Sequence, residues 1–474
     1  MRTEPKLALV PVFVSSDPPM GLGSIATYLK IYAQFTNTII LDEPLKKAIR
    51  CLEKEKPDII GLSAMTMHYS KAILLAKIIR NNNKLRDTII IIGGVHISTL
   101  PESLHPAFDL GVLGEGEQTM LEIIELYRKG RGEITKKNLA NINGLAFYKN
   151  SELVITLKRE MLQPVDRIPI VDRSFFAKRY FKKTILNTDK AVRMTWMLTS
   201  RGCPYKCRFC STSRFWQMVR VHSVMRVVDE IEYLISLKIQ HISISDDIFM
   251  INKQRLKEII EEMQTRGLLG RVKFNASVRA NLVDDDICKL ANQLGVVFFS
   301  MGFESGSDRM LKYLKKDSVT VADNKRSIRL CHKYKIQIGA ALIIASPTET
   351  VEDMEKTIEF IRFMKKYPLV YPGMSIMVPH PGTEMWDVAL QRGKVSNDME
   401  DWGVLSYALL EPLLLDEEIP YEMFMECYKE ARKEIRYSEL RRWARKFVNS
   451  PFFVLWIIIS DFKFLKFFSV IRKS

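Results

Sequence analysis

Three of the chain's seven cysteines, Cys203, Cys207 and Cys210, lie together in the stretch TSRGCPYKCRFCSTS (199–213). Thiolates at this spacing can hold a metal. In a reducing compartment, three thiols on one short loop do not make a disulfide framework. A structural zinc site takes four protein ligands, commonly two Cys-x-x-Cys pairs, and the chain has no second pair. Two arrangements stay open: a zinc with three protein ligands, and an iron–sulfur cluster that keeps one iron free for a substrate. Cys288, Cys331 and Cys427 sit singly in helical contexts and read as buried structural thiols. One metal centre is therefore expected, with no auxiliary one.

The elements around this loop decide what it can reach. Before it, the segments 7–13, 38–43, 58–65, 88–94 and 109–114 are short β-branched or apolar runs. Between them lie stretches with helical periodicity, such as GSIATYLKIYAQF and EQTMLEIIELYRKG. This alternation predicts a parallel sheet with helices on both faces, a doubly wound flavodoxin-like domain over 1–135. Ligands of such folds bind outside the carboxyl ends of the strands. Those ends carry Gly21, Ser63, Gly93, Gly94, Gly114, Glu115 and Gly116. Glycines there let a large flat ligand approach the backbone closely. Residues 136–190 read as a connector, with a hairpin turning at Lys149-Asn150-Ser151 and prolines that break regular structure.

After the cysteines, strand candidates at 194–200, 241–246, 273–278, 296–302, 336–344 and 373–379 alternate with helices. Six such units predict a partial (β/α)6 barrel over 191–400, with active residues at the carboxyl ends of its strands. Residues 401–474 are expected to be helical, closing on a basic, aromatic-rich tail with the apolar run PFFVLWIII.

Cys-x-x-x-Cys-x-x-Cys, with Phe209 before the last cysteine, resembles the signature of radical S-adenosylmethionine (SAM) enzymes. The stretches PPMGL, GGVHISTLPE and LGEGEQTMLEI resemble the cobalamin-binding-type domain that precedes many of their barrels. The resemblance implies a [4Fe-4S] cluster on Cys203, Cys207 and Cys210. SAM on the open iron would be cleaved to a 5′-deoxyadenosyl radical. It assigns Asp246, Asp247, Ser277, Arg279 and Glu304, in GFESG, to SAM, and the glycine-rich strand ends with Ser63 and Glu115 to cobalamin. VPHPGTEMW (378–386) is similar to the family's sixth-strand loop. The Asp-x-His-x-x-Gly motif that supplies an axial histidine elsewhere is missing, so His68, His96 and His105 are expected to be structural or solvent-facing. One loop departs from the family: where relatives read Gly-x-Pro-Gly-Glu-Thr, this chain has Ala345-Ser346-Pro347-Thr348-Glu349-Thr350. Each replaced glycine adds a β-carbon where φ could be positive.

The implied function is methylation of an unactivated carbon in a small-molecule or lipid-like substrate, with an electron donor such as a flavodoxin or ferredoxin. A radical cyclase or carbon-skeleton rearrangement is the alternative. Methylthiolation of transfer RNA would suit the net charge of +16. Those enzymes carry a second cysteine triad near the N-terminus, where this chain has only Cys51, so nucleic acid is not expected. The sparse, odd cysteine set places the chain in the cytoplasm. The basic, aromatic tail suggests peripheral membrane contact, since a nine-residue apolar run is too short to span a bilayer.

Overall fold

The structure is a computed structural model that describes residues 4–184, 191–216, 218–316, 318–406 and 410–451. It divides into two compact units. The first gathers the chain up to Tyr180 with Leu198–Val227 and Ile376–Leu415. The second gathers Phe181–Met197, Val228–Ser375 and the residues from Asp416 on.

The first unit is built on a sheet of β1 (Leu7–Pro11), β2 (Thr38–Ile40), β3 (Ile59–Ser63), β4 (Ile89–Gly93), β5 (Leu110–Val112), β6 (Leu145–Lys149) and β7 (Glu152–Ile155). Strand order is β2-β1-β3-β4-β5-β6-β7. The first five strands pair in parallel, the doubly wound order that the alternation predicts. Runs such as LALVP and IIIIG are almost wholly apolar because helices cover both faces. These helices include α1 (Met20–Tyr32), α2 (Leu45–Glu55), α3 (Tyr69–Arg80), α4 (Val95–Thr99) and α5 (Gly116–Lys129). Helices α1 and α5 meet, and Leu22, Ala26 and Ile123 join Leu9 and Ile91 in the core.

The expected hairpin is present. Asn150 and Ser151 turn it with positive φ at both positions, as a tight two-residue turn requires. It belongs to the first sheet and not to a separate connector, because β6 pairs antiparallel with β5. Burial of Leu145, Ala146 and Phe147 explains the attachment.

In the second unit, β8 (Lys183–Thr184) pairs antiparallel with β9 (Val192–Met197). The chain then makes a short hairpin of β10 (Ser200–Arg201) and β11 (Arg220–Val221), which belongs to the first unit. The second unit resumes with β12 (His241–Ile244), β13 (Lys273–Ser277), β14 (Val296–Glu304), β15 (Gln337–Ile344) and β16 (Val370–Ile376). Their order is β16-β15-β14-β13-β12-β9-β8, and β9 to β15 run parallel. Neighbours in space are neighbours among the barrel strands, with helices between, which is the partial barrel.

Helix Tyr421–Asn449 packs on helix Val351–Lys365 through buried Phe424, Ala431 and Ile435. Glu430 and Glu434 pair with Arg362, and Glu434 also with Lys365. One face of the basic segment up to Asn449 is thus packed, while Tyr437, Leu440, Phe447 and Val448 on it are exposed. The apolar run and the residues after it lie outside the described residues. Among the described residues, no helix is long and apolar enough to cross a membrane.

Candidate active site

The cysteine loop is enclosed by the β10–β11 hairpin, in which Arg201 is the cross-strand partner of Arg220. Gly202 follows with φ +101°, and a β-carbon there would lie 2.4 Å from the Met218 carbonyl oxygen. Only glycine closes this turn. Cys203, Cys207 and Cys210 are half-buried and not disulfide-bonded. The Cys210 amide donates to the Cys207 carbonyl, 3.2 Å away. The Glu384 amide donates to the Arg208 carbonyl at 3.1 Å, and Arg208 and Arg214 pair with Glu384 and Asp387. Thr383 caps the helix Glu384–Gln391, and Gly382 before it has φ +78°. The Gly-Thr of the sixth-strand loop therefore aims a helix start at the cysteine loop.

Ahead of the loop, Arg201 is buried among acids. Its guanidinium donates to Glu115 and, at 2.7 Å, to Glu117. Arg220 meets Glu115 with both terminal nitrogens, at 2.8 and 2.9 Å. The Ser24 hydroxyl donates to Glu117 at 2.6 Å, and the Leu162 amide donates to Glu115. Burial alone would raise the Glu117 carboxyl. Arg201 and Ser24 outweigh it and hold the group ionised, below its ordinary value. Burial would likewise lower Arg201, and Glu117 with Glu115 raises it instead.

Beside this cluster lies a cavity of about 220 Å³ at the carboxyl edge of the first sheet. Gly21, Ser63, Gly93, Gly94, Gly114, Glu115 and Gly116 all line it, so the structure gathers every strand-end residue singled out from the sequence. A β-carbon at Gly21 or Gly114 would meet nothing within 4 Å, and Gly114 has φ +76°. Gly94 is constrained otherwise: its φ is +107°, and a β-carbon would lie 2.5 Å from the Ala64 carbonyl oxygen. Glu115 lines the cavity, and both of its carboxylate oxygens also accept from arginines, which ties the hairpin to this edge. The opposite wall comes from the cysteine segment itself, through Leu198, Arg201, Phe215 and Trp216.

The histidines fit the expectation. His96 is wholly buried between Tyr69 and Trp402, with ring centroids 4.0 and 4.4 Å away. Its Nε2 lies 3.0 Å from the Ser103 hydroxyl, and burial pushes its pKa down to about 3. His68 stacks on Phe13. The His105 ring accepts from the Ala107 amide.

The remaining candidates occupy one edge of the second unit's sheet. Asp246 and Asp247 follow β12, Ser277 ends β13 with Arg279 two residues on, and Glu304 ends β14. Asp246 is buried and Asp247 exposed. The Ser277 hydroxyl donates to the Asp246 carbonyl at 2.5 Å, tying two strand ends together. Arg279 is buried and donates to Ser318. Glu304 is 6% exposed, has φ +61°, and pairs with Lys315 at 3.3 Å. A non-glycine residue in that conformation stores strain, which concentrates at functional positions.

The loop after β15 has positive φ at both positions where the family reads glycine, Ala345 at +62° and Thr348 at +65°. Glu349, in the same loop, is 1% exposed and accepts from the Ser346 amide at 2.9 Å. Burial raises its pKa to about 8, so it is neutral at pH 7. Sequence reading missed Glu117, Arg201, Arg220, Trp216, Lys315 and Glu349. Their signal is burial of charge, or a partner far away in the chain, and neither shows in a motif.

The donor set fits the implied groups. Among the described residues, no three His, Cys, Asp or Glu side chains gather closely enough for a single ion. The glycine edge leaves open room that β-carbons would fill. The fold and these two sites define a radical SAM enzyme with an N-terminal B12 domain. Residues 197–361 match the Radical SAM superfamily and residues 8–124 match the B12 binding domain, together more than half of the chain. The chain belongs to that family, and with membership come its cofactors: a [4Fe-4S] cluster, SAM and cobalamin. It is 29% identical over 86% of its length to an "uncharacterized methyltransferase" of Pyrococcus horikoshii, 85% of which is covered. It is 30% identical over 66% of its length to the anaerobic magnesium-protoporphyrin IX monomethyl ester cyclase of Cereibacter sphaeroides, covering 50% of that protein. The cobalamin-dependent radical enzyme OxsB, solved with aqua-cobalamin and SAM, shares the fold at a TM-score of 0.70. It is 19% identical, with 94% of this chain and 72% of that one covered.

Proposed function

We propose that this enzyme methylates an unactivated carbon of a small, apolar or lipid-like molecule. The observation that carries the reading is the cavity that the glycine edge of the B12 domain shares with the segment bearing the cysteines. When bound, the cluster and SAM supply a 5′-deoxyadenosyl radical that takes a substrate hydrogen, and cobalamin supplies the methyl group. Cys203, Cys207 and Cys210 hold the cluster. Asp246, Asp247, Ser277, Arg279 and Glu304 line up at one sheet edge to receive SAM, with Lys315 neutralising Glu304. Gly21 and Gly114 leave space for the corrin, Gly93, Gly94 and Gly116 line that space, and Ser63 offers it a hydroxyl. Phe215 and Trp216 shield that space from water, which limits side reactions of radicals.

The test is an anaerobic incubation of the cluster-loaded enzyme with SAM, hydroxocobalamin and a low-potential reductant. Methyl transfer consumes two SAM molecules per turnover, one yielding 5′-deoxyadenosine and methionine, the other S-adenosylhomocysteine. Both nucleosides in equal amounts support methylation. The similarity to the cyclase favours a second reading, radical cyclisation, for which 5′-deoxyadenosine forms with no S-adenosylhomocysteine.

A further inference from the structure

We propose that the Arg201–Glu115–Glu117–Arg220 cluster couples occupancy of the glycine-lined cavity to the order of the cysteine loop, with Arg201 as the central positioning residue. The inference rests on the cavity being the corrin site.

Both stems of the loop reach the cavity. Arg201 stands two residues before Cys203, and Phe215 and Trp216 follow Cys210 closely. The acids that hold Arg201 belong to the B12 domain: Glu115 precedes α5 and Glu117 lies in its first turn, among the cavity glycines Gly114 and Gly116. Ser24, which donates to Glu117, is on α1 beside cavity residue Gly21. The Trp216 ring lies over both arginines, 5.6 and 5.7 Å from their guanidinium carbons.

This arrangement has few intermediate states. The four charges balance, and all four side chains are at most 10% exposed. Withdrawing Arg201 would leave Glu117 buried without a cation, which is strongly unfavourable. The hairpin is therefore either docked or released as a whole. Only the docked state presents Arg201, Phe215 and Trp216 as a cavity wall, so a ligand that touches that wall favours docking. Cluster assembly on the three cysteines favours an ordered loop and hence the same state. By linkage, each ligand then tightens the other.

The test is an anaerobic titration of hydroxocobalamin, read by absorbance, into the full chain with and without its reconstituted cluster. Removing the cluster is expected to weaken cobalamin binding about tenfold or more in the wild type. The double variant Arg201→Gln/Glu117→Gln removes one charge of each sign and leaves the Glu115–Arg220 pair. In it the ratio should fall below about twofold, and Arg201→Lys should restore part of it. The electron paramagnetic resonance spectrum of the reduced cluster should change on adding cobalamin in the wild type and not in the double variant. A wild-type affinity indifferent to the cluster, or an unchanged ratio in the double variant, overturns the coupling alone. Absence of cobalamin binding in both forms overturns the coupling and the methylation reading together.

Discussion

Replacing Glu349 with glutamine should flatten the pH dependence of stability in the second unit. Burial lifts this carboxyl from its ordinary 4.5 to about 8, and the nearby Asp353 adds to the rise. Between those values the folded chain holds a proton that the unfolded chain has released. Folding stability from this group is therefore complete below about pH 4.5 and is lost as pH rises through about 8. Each pH unit inside the window corresponds to about 1.4 kcal/mol. From pH 5.5 to 7.5 the wild type should lose roughly 3 kcal/mol more than Glu349→Gln, and the full window corresponds to roughly 5 kcal/mol. Urea unfolding of both proteins at half-unit steps of pH measures the difference. The other titrating groups, including His241 and His380, are common to both proteins and cancel. Parallel pH profiles for the two proteins would refute the reasoning, because Glu349 would then be ionised in the folded state.

Other outcomes follow from the same geometry. Thr348→Gly should stabilise the protein by about 0.5–1 kcal/mol, because an exposed threonine at φ +65° gives up left-handed strain and loses no packing; thermal melting checks it. Cys207→Ala should lose the absorption of the reconstituted cluster and form no 5′-deoxyadenosine, and a variant that still cleaves SAM would sink the cluster assignment. Gly21→Leu should fold with an unchanged melting temperature, since its β-carbon meets open space, yet retain little cobalamin after desalting. Full retention would place the corrin elsewhere.

Much of this protein was legible before any coordinates. The cysteine spacing, the alternation of apolar runs with helical periods, and the glycines at strand ends are local properties, and local properties survive in a sequence. They led to the two sheets, the loop and the cavity edge, with strand limits displaced by only a few residues. The altered loop was legible too, in part. Loss of both glycines marked positions 345 and 348, and the fold keeps positive φ there because the surrounding strands and helix over-determine the turn.

Tertiary structure alone decided the rest. Glu115 stands out in LGEGEQ only as a strand-end acid until Arg220, distant in the chain, closes on both of its oxygens. Glu349 becomes a neutral acid only because packing strips its water. The hairpin 145–155 looks like a free connector until its apolar strand finds the open edge of β5. In each case the deciding term is burial or pairing across long sequence separation. The free energy of a charge or a strand edge depends on what surrounds it, and the sequence names the residues without naming their neighbours.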